Sequence, residues 1–435
     1  MFIAVIARQR YPVVILLTLI LVVSLTPGAK AASLIRVGIS VTGSTVILGG
    51  TGTIFDPQSN VVAYLTDTST VELVADQGKV WLRGVPFSSL HVVPTQSDNQ
   101  NFLRINDKTY RGELVVTASS SGIKVVNELD VEDYLLGVVA LEMAPTWPLE
   151  ALKAQAVAAR TFALKNLGRH RVEGFDLCDA SHCQVYGGVD AERPMSSAAV
   201  KSTNNLVLRY DDELIDAYYH ASSGGRTETA GGAWGQDRPY LTVVEDGDRL
   251  AGPYASWQES FTPEELSERL AQAGYSVGLV DQVEIVATTS SGRAATVKVK
   301  GSYGTVLIPG ASFRQALGLK STLFQVNDSG LLSSPGRVTV WVTGRESFIR
   351  TAVAGGTHVI TAGGIRIIDS RAGADTISRG GNERMIVLQG SGYGHGVGMS
   401  QWGAKILAEN EAVSENDFFR WILTHYYKGV TIEPY

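Results

Sequence analysis

The residue in this sequence that is best suited to take part in a reaction is Glu142, a carboxylate within the largely apolar residues 137–147. An apolar environment disfavours the charged form of a carboxyl group and therefore raises its pKa. A carboxyl group that stays protonated near neutral pH is the general acid that cleavage of a glycosidic bond requires. By itself the pattern also fits a solvated or helix-capping glutamate, so the remaining motifs must decide between these interpretations.

The chain has only two cysteines, Cys178 and Cys183, and His182 lies between them. Their spacing leaves three interpretations open: a disulfide that closes a tight loop, a zinc site of thiolates and imidazoles, or free thiols. His170 is the nearest candidate for a fourth zinc ligand. With either a disulfide or a zinc ion, we expect the role of this loop to be structural.

Two further polar segments contain glycines. Residues 218–227 combine aromatic, imidazole, hydroxyl and guanidinium groups, which is typical of a sugar subsite; the alternative is a strand that ends in a turn, with His220 bonded to a carbonyl. Residues 392–403 place four alternating glycines before a helix. Such a loop can bring backbone N–H groups to a ligand, or it can be a tight packed turn without one.

Several enzyme classes lack their motifs here. No Gly-x-Ser-x-Gly motif lies at a plausible strand–helix junction, and no His-Glu-x-x-His motif is present. These absences argue against a serine hydrolase and against a zincin-type peptidase. The glycine-rich residues 392–403 also lack the Lys-Ser/Thr ending of a phosphate-binding loop.

The elements around Glu142 are predicted to be helical. Asp130 is a candidate N-cap for a helix that starts at Val131, with Leu129 as a hydrophobic staple. A second helix has Pro148 in its first turn, carries an alanine-rich apolar stripe and ends at Gly168. The sequence therefore predicts a buried scaffold helix with Glu142 immediately before its N-terminus.

The rest of the chain mixes strands and helices, so the predicted fold class is α+β. Residues 34–95 have the alternation of a β-rich unit, with turns at Gly49-Gly50 and Asp56-Pro57. A helix from Ser414 is indicated by the capping-box spacing of Ser414 and Asp417. Further strands are expected at 112–118, 123–126, 206–210, 283–287 and within 335–390, and further helices at 196–204, at 263–274 and after Met399.

Length and charge narrow the functional classes. The 435 residues are enough for two or three domains. The first 31 residues resemble an export signal with a basic start, the apolar run 13–25 and a small-residue cleavage site at 29–31; an uncleaved N-terminal anchor is the alternative. Cleavage would remove three positive charges and take the net charge from −6 to −9. An exported acidic chain without a basic stripe is not expected to bind nucleic acid.

Together, these motifs resemble the SpoIID/LytB family, which includes sporulation peptidoglycan lytic transglycosylases and amidase enhancers. The resemblance runs from about residue 100 to the C-terminus. One departure is that Ala144 precedes Pro145, where family members often have Pro directly after Glu-Met. The motifs that carry the resemblance are Tyr110-Arg111-Gly112, residues 129–139, Glu142-Met143, residues 147–161, Cys183-Gln184-Val185-Tyr186, residues 220–227 and residues 392–404.

The resemblance implies cleavage between N-acetylmuramic acid and N-acetylglucosamine, with Glu142 as the catalytic acid and base. It implies no cofactor for catalysis, but it favours a structural zinc ion held by Cys178, His182 and Cys183, with His170 as an additional candidate. Arg226 is expected to pair with a lactyl carboxylate once peptides have been trimmed. The residues expected to line or brace the sugar cleft are Gln155, Arg160, His220, Ser222, Ser223, Arg226, Tyr393, His395 and Gln401.

The expected organisation has five parts. They are a signal peptide or anchor (1–31), a small β-rich unit (34–98), a SpoIID-like core (100–334), a β-rich insertion (335–385) and the C-terminal part of the core (386–435). Two competing functions remain: a noncatalytic glycan-binding protein that stimulates a separate cell-wall amidase, and a zinc amidase that uses the Cys/His loop.

Overall fold

The computed structural model describes residues 33–95, 102–250, 252–327, 338–342, 348–353, 356–361, 364–368, 384–410 and 417–435. The predicted signal segment lies outside these residues. Within the described part of the chain, no helix is both long and apolar enough to cross a membrane. Helices and strands are both abundant, which confirms the predicted α+β class.

The first third of the chain forms twelve strands. Successive side chains of a strand point to opposite faces of the sheet, so buried and exposed residues alternate. In the first strand Ile35, Val37 and Ile39 are buried, whereas Leu34 and Arg36 are exposed. The strands are β1 (Leu34–Ile39), β2 (Thr45–Gly50), β3 (Gly52–Phe55), β4 (Val61–Leu65), β5 (Val71–Asp76), β6 (Lys79–Leu82), β7 (Val85–Phe87), β8 (Ser89–Pro94), β9 (Leu103–Ile105), β10 (Lys108–Tyr110), β11 (Glu113–Ser119) and β12 (Gly122–Asp130).

These strands build two sheets around one apolar core. With β13 (Leu177–Cys178), one sheet has the order β13-β1-β12-β11-β8-β3-β4, and the other has the order β10-β9-β2-β5-β6-β7. Both sheets combine strands from before residue 95 with strands from after residue 102. The turn predicted at Gly49-Gly50 is wrong, because both glycines belong to β2 and pair with Arg104 and Leu103.

Two helices carry the segment around Glu142. Helix α1 (Val131–Glu142) begins after Asp130, whose side chain accepts a hydrogen bond from the Glu132 N–H at 2.7 Å, as the predicted N-cap should. Helix α2 (Leu149–Lys165) is almost entirely buried along its length. It differs from the prediction at both ends: Pro148 is the residue before its first turn, and the helix stops at Lys165, three residues before Gly168.

The remaining helices are shorter. Helix α3 starts two residues before its predicted segment and α5 ends two residues before the end of its own, whereas α4 and α6 were not predicted. They are α3 (Pro194–Ser202), α4 (Ala230–Trp234), α5 (Pro263–Gln272), α6 (Gly310–Leu317), α7 (Gln401–Asn410) and α8 (Phe418–Tyr426).

The helix predicted from Ser414 begins later, at Phe418, and the predicted capping box stays a prediction. Ser414 lies outside the described residues, and Asp417 stands before α8 in a left-handed conformation without a side-chain cap bond. Instead, the Glu150 side chain of α2 accepts a hydrogen bond from the Phe419 N–H at 2.8 Å. The N-terminus of α8 is therefore capped from another helix, which sequence spacing could not indicate.

The later strands fall into small sheets. A second apolar core, which includes Trp257, Phe313 and Phe324, lies among α5, α6 and their strands. The strands are β14 (Leu206–Tyr210), β15 (Glu213–Leu214), β16 (Tyr219–His220), β17 (Trp257–Phe261), β18 (Val280–Thr288), β19 (Ala294–Gly301), β20 (Gly304–Pro309), β21 (Phe324–Asn327), β22 (Val338–Val342), β23 (Phe348–Val353), β24 (Gly356–Thr361), β25 (Gly364–Ile368), β26 (Ile386–Gly390), β27 (Met399–Ser400) and β28 (Thr431–Pro434).

The β-structure predicted within residues 335–390 is present. Strands β22 to β25 pair in sequence as an antiparallel four-stranded sheet, and β26 pairs instead with β17 and β21. The chain thus returns from the β22–β25 sheet to the second apolar core before it enters the glycine-rich segment.

Candidate active site

Glu142 is the last residue of α1, where the chain leaves the helix. Met143 follows in an extended conformation, and its N–H still donates to the Val139 carbonyl at 3.0 Å. The chain then turns, with the Trp147 N–H donating to the Ala144 carbonyl, and enters α2. Two packed helices therefore hold the carboxylate at a fixed point, as a reacting group requires.

Three donors contact the Glu142 carboxylate. The Val185 N–H donates to Oε1 at 2.9 Å, and hydrogen bonding to the Gln401 and Tyr219 side chains also lowers the pKa of the carboxyl group. Burial raises the pKa of Glu142, and the three hydrogen bonds oppose this effect without cancelling it. The net upward shift keeps a larger protonated fraction near neutral pH than an ordinary glutamate has.

A buried hydrogen-bond chain fixes the direction of the Tyr219 hydroxyl. Gln184 Nε2 donates to the Tyr219 oxygen at 3.0 Å, and Gln184 Oε1 accepts from the Tyr134 hydroxyl at 3.2 Å. Burial raises the pKa of Tyr219 well above its usual value, so its proton is retained. Because the Tyr219 oxygen already accepts from Gln184, its O–H group is free to donate to Glu142.

Glu142 opens into a cavity of about 500 Å³, a size within the range of small-molecule sites. Trp234 and Tyr393 present partly exposed aromatic rings at this cavity. Two arginines, Arg169 and Arg314, also line it. The full lining is Glu142, Phe162, Arg169, Ser181, His182, Cys183, Val185, Tyr218, Tyr219, His220, Ala221, Trp234, Arg314, Tyr393, Gly394, His395 and Gln401.

Two of the three histidines that line the cavity, His220 and His395, are neutral near pH 7. Burial, with help from Arg314 and Arg293, lowers the pKa of His395 to about 4. Burial also lowers the pKa of His220 well below its usual value, and its Nδ1 lies 3.1 Å from the Val397 carbonyl oxygen. Both rings can therefore act as hydrogen-bonding groups but not as cations.

The glycine-rich segment is a packed turn rather than an open cradle. The Tyr393, Gly394 and Met399 N–H groups all donate to protein carbonyl oxygens. At Gly398, with φ of +74°, an added Cβ would lie 2.0 Å from the Tyr218 carbonyl oxygen. These three N–H groups are occupied within the protein, and the turn positions the Tyr393 and His395 side chains at the cavity.

Two of the residues expected at the cleft are buried beneath it. Gln155 lies under Gln401, with Gln401 Nε2 3.5 Å from Gln155 Oε1, and can brace the site without lining it. Arg160 is a correction: its guanidinium is buried and forms two hydrogen bonds, of 2.6 and 2.7 Å, with the Glu132 carboxylate. Arg160 therefore ties α2 to α1 and cannot reach a sugar.

The prediction that Ser222 and Ser223 bind the sugar is also wrong. Both hydroxyls donate to the buried carboxylate of Asp248, at 2.8 Å each, and so does the Ser400 hydroxyl at 2.9 Å. This carboxylate joins residues 222–225 to the turn before α7. The serines are committed to that internal network and do not face the cavity.

Arg226 also lies away from the position that was predicted for it. Its side chain is exposed and forms an ion pair with Glu245. Together with Glu245 and Arg249, it lines a separate cavity of about 500 Å³ that does not include Glu142. The expected pairing of Arg226 with a substrate carboxylate beside Glu142 is therefore not supported by its position.

The Cys/His cluster forms one wall of the Glu142 cavity through His182 and Cys183. One ligand atom from each of His170, Cys178, His182 and Cys183 lies within 4.8 Å of the others, and both thiols are free. His170 Nδ1 lies 3.3 Å from Glu173, an outer contact that directs its Nε2 to Cys183. Two sulfur and two nitrogen donors match a tetrahedral zinc site.

Several residues that line the cavity, and the buried Gln184 that bonds to Tyr219, were not predicted. Tyr219 lies in the segment 218–227 and Gln184 in the motif Cys183-Gln184-Val185-Tyr186. Their side chains can donate and accept hydrogen bonds, which is the signal that could have marked them as partners of Glu142. Trp234 and Arg314 had no local signal, because α4 and α6 bring them to the cavity from distant parts of the chain.

Comparison with known proteins finds a matching family model and several relatives. A family model described as SpoIID, Stage II sporulation protein, matches residues 119–210, which include Glu142 and the Cys/His cluster. An uncharacterized protein of Brachyspira hyodysenteriae is 31% identical over 78% of this chain and 76% of its own length.

Two relatives carry functional names. The amidase enhancer of Bacillus subtilis is 28% identical over 89% of this chain, which covers 54% of that protein. Stage II sporulation protein D of Bacillus amyloliquefaciens is 29% identical over 71% of this chain and 75% of its own length. The match of the family model and of these relatives shows that this chain belongs to the SpoIID/LytB family.

Proposed function

We propose that this protein is a peptidoglycan lytic transglycosylase that acts outside the cytoplasm, in cell-wall remodelling or sporulation. The observation that carries the proposal is that Glu142 is the only carboxylate among the described residues lining its cavity. A glycoside hydrolase of the usual kind needs two carboxyl groups. A transglycosylase that uses a hydroxyl of its own substrate as nucleophile needs one.

Each step of the proposed reaction moves one proton through Glu142. The protonated carboxyl group donates to the glycosidic oxygen as the C1–O bond breaks and C1 gains oxocarbenium character. The resulting carboxylate takes the proton of the muramic C6 hydroxyl, whose oxygen forms a bond with C1. The products are a free N-acetylglucosamine hydroxyl and a 1,6-anhydro ring, and no water is consumed.

The three donors to Glu142 suit this cycle. Val185, Tyr219 and Gln401 hold the carboxyl group in one orientation and stabilise its anionic form between the two proton transfers. Burial acts in the opposite direction and favours the protonated starting state. A carboxyl group whose pKa is raised by burial and lowered by hydrogen bonds can both give and take a proton near neutral pH.

The aromatic rings at the cavity suit a sugar substrate. Trp234 is about half exposed and Tyr393 slightly less so, although both are large and partly apolar. Sugar rings have apolar C–H faces that pack on aromatic rings, while their hydroxyls bond to neutral groups such as His220 and Gln401. We infer that the glycan strand lies along this face.

We propose that the Cys/His cluster binds a structural zinc ion. His170, Cys178, His182 and Cys183 would be its four ligands, a closed set that leaves no position for a reacting water. The ion would fix residues 170–183 beside the cavity. This assignment also disfavours a zinc amidase, which needs an open coordination position.

A second function is favoured by one of the relatives. The amidase enhancer of Bacillus subtilis matches most of this chain, so a glycan-binding protein that stimulates a separate cell-wall amidase is the alternative. In that case Glu142 would contact the glycan without transferring a proton. The same cavity then serves for binding alone.

Product analysis separates these functions. Purified protein is incubated with intact peptidoglycan and with peptide-free strands, with and without a cell-wall amidase, and the fragments are analysed by mass spectrometry. We expect 1,6-anhydromuramic ends without added amidase. Reducing ends would contradict transglycosylation, release of stem peptides by the protein alone would indicate an amidase, and an effect seen only with added amidase would support the enhancer function.

A further inference from the structure

A smaller recess of about 210 Å³ adjoins the Glu142 cavity. Trp234, Arg314 and His395 contribute to the lining of both, so a ligand in the cavity can extend a substituent into the recess. None of the residues singled out in the sequence other than His395 lines it. Its remaining lining comes from the segment around Glu228, from Arg293 and from the start of α6.

Arg293 supplies unused hydrogen-bond donors to this recess. Its side chain is 1% exposed, and Nη2 donates to the carbonyl oxygens of Ser223 at 2.6 Å and Arg226 at 3.1 Å. Its Nε and Nη1 atoms are buried without a partner. A buried N–H group without an acceptor is costly, so these donors need an acceptor that the described protein groups do not supply.

A glycine allows the loop above Arg293 to come this close. Gly396 has φ of +84°, and a Cβ at this position would lie 2.5 Å from Arg293 Nη2. The glycine-rich segment therefore packs directly against one side of the guanidinium group, which also lines the recess. Its burial lowers the pKa of Arg293 to about 10, which still leaves it protonated at neutral pH.

Two other features add positive potential. Arg314 lines both spaces, and its Nε donates to the Leu319 carbonyl at 3.1 Å. Helix α6 begins at the recess with Pro309, Gly310 and Ala311 in the lining, and it has neither a side-chain cap nor an acidic residue in its first turn. The N-terminus of a helix carries a partial positive charge that favours anions.

One negative group in the lining opposes them, and Asp248 outside the lining also interacts with Arg293. Glu228 also lines the recess, but its carboxylate accepts hydrogen bonds from the Thr229 N–H and from the hydroxyls of Thr289 and Ser291. Two guanidinium groups therefore face one carboxylate whose acceptors are largely occupied. His395 adds no charge near neutral pH.

We propose that the recess binds a carboxylate carried by the sugar that occupies the Glu142 cavity, with Arg314 and Arg293 as its donors. Bidentate pairing of arginine with carboxylate is strong and geometrically selective. Two chemical groups of a muramic residue could supply it: the lactyl carboxylate itself, or a carboxylate of the peptide attached to it. The inference rests on the proposed glycan substrate of the cavity, but it concerns selection of the substrate and not cleavage.

Ligand-observed NMR titration tests this selectivity without requiring turnover. The probes are N-acetylmuramic acid, its methyl ester, N-acetylglucosamine and muramyl dipeptide, with the full-length protein. We expect N-acetylmuramic acid to bind about tenfold more tightly than its neutral methyl ester and N-acetylglucosamine, as for one charge-assisted contact. Muramyl dipeptide, whose lactyl group is an amide, identifies the source: tighter binding than N-acetylmuramic acid assigns the recess to the peptide carboxylate, and weaker binding to the lactyl group.

Three variants connect the selectivity to Arg314. Arg314→Gln keeps a long polar side chain and should abolish the preference, whereas Arg314→Lys should retain part of it. Arg269→Ala is the matched control, because Arg269 Nη1 also donates to a carbonyl at the end of α6, that of Leu317, and lines neither space. Circular dichroism confirms that each variant is folded.

Two results would overturn the proposal. One is equal binding of carboxylate-bearing and neutral probes by the wild-type protein; the other is a preference that survives in Arg314→Gln. Failure of the proposed function is distinguishable: selective binding without anhydro products would retain the recess and reject cleavage, and anhydro products without selective binding would do the opposite.

Discussion

Burial raises the pKa of three carboxyl groups among the described residues, Asp133, Glu142 and Asp246, and the last two lie in regions of opposite character. Glu142 stands at the α1–α2 junction and opens into a cavity, where it accepts bonds from Val185, Tyr219 and Gln401. Asp246 lies in a closed network, where burial and the neighbouring Asp248 raise its pKa to about 7.

The two regions differ in whether a ligand can reach the carboxyl group. Asp246 Oδ2 is buried without a partner, an added Cβ at Gly403 would lie 2.2 Å from Oδ1, and neither large cavity includes the residue. A perturbed pKa is therefore common to a candidate acid and to a packed scaffold group. Only the group that reaches a ligand-sized cavity can do chemistry, so the comparison predicts opposite responses to neutral amide replacements.

The largest effect is expected for Glu142→Gln. The amide cannot donate or accept the catalytic proton, so kcat should fall by about 10²- to 10⁴-fold. The thermal midpoint should change little, because the amide retains the size of the side chain. Glu213→Gln at an exposed position is the control, measured in the same strand-cleavage assay and thermal scans.

Asp246→Asn should act on stability rather than on turnover. Because the pKa of Asp246 is higher in the folded than in the unfolded state, the folded protein binds the proton more tightly, and its stability falls as pH rises from about 4 to about 7. Urea unfolding at several pH values should show a flatter dependence in the variant. An identical pH dependence in both proteins, or a loss of turnover like that of Glu142→Gln, would contradict the contrast.

A smaller effect is expected for Tyr219→Phe. Loss of one hydrogen bond to the anionic carboxylate should cost about threefold to tenfold in kcat. The same loss should raise the pKa of Glu142 further, so the decline of the rate at high pH should move to higher pH. Tyr218→Phe is a suitable control, because Tyr218 also lines the cavity but does not contribute to the pKa of Glu142. Unshifted profiles for both variants would reject the role of Tyr219.

The smallest effect is expected for Arg226→Ala. Its exposed ion pair with Glu245 should contribute less than about 1 kcal/mol to the free energy of unfolding. Turnover and binding of glycan strands should match those of the wild type, since Arg226 lies at a different cavity. A loss of strand binding would place substrate at that cavity and would restore the role that the motif predicted.

Local signals explain what the sequence predicted correctly. The Asp130 cap, the break after Glu142 and the buried helix α2 depend on residues close together in the chain, and all are found in the structure. The close approach of Cys178, Cys183, His182 and His170 follows from their proximity in sequence in the same way. Pattern and spacing are sufficient where neighbours in sequence are neighbours in space.

Side-chain direction explains the errors. Arg160, Ser222 and Ser223 occur in the right motifs, but their polar groups bond to Glu132 and Asp248 inside the fold. A motif does not reveal which polar residues face a cavity and which bond within the scaffold. Trp234 and Arg314 were missed for the complementary reason, because only tertiary packing brings them beside Glu142.

The most direct test of Glu142 as the acid and base compares wild type and Glu142→Gln on the same peptide-free strands, with binding and products measured in parallel. We predict that both proteins bind the strands and that only the wild type yields fragments with 1,6-anhydromuramic ends at an appreciable rate. Undiminished formation of these ends by the variant would contradict the central role of Glu142.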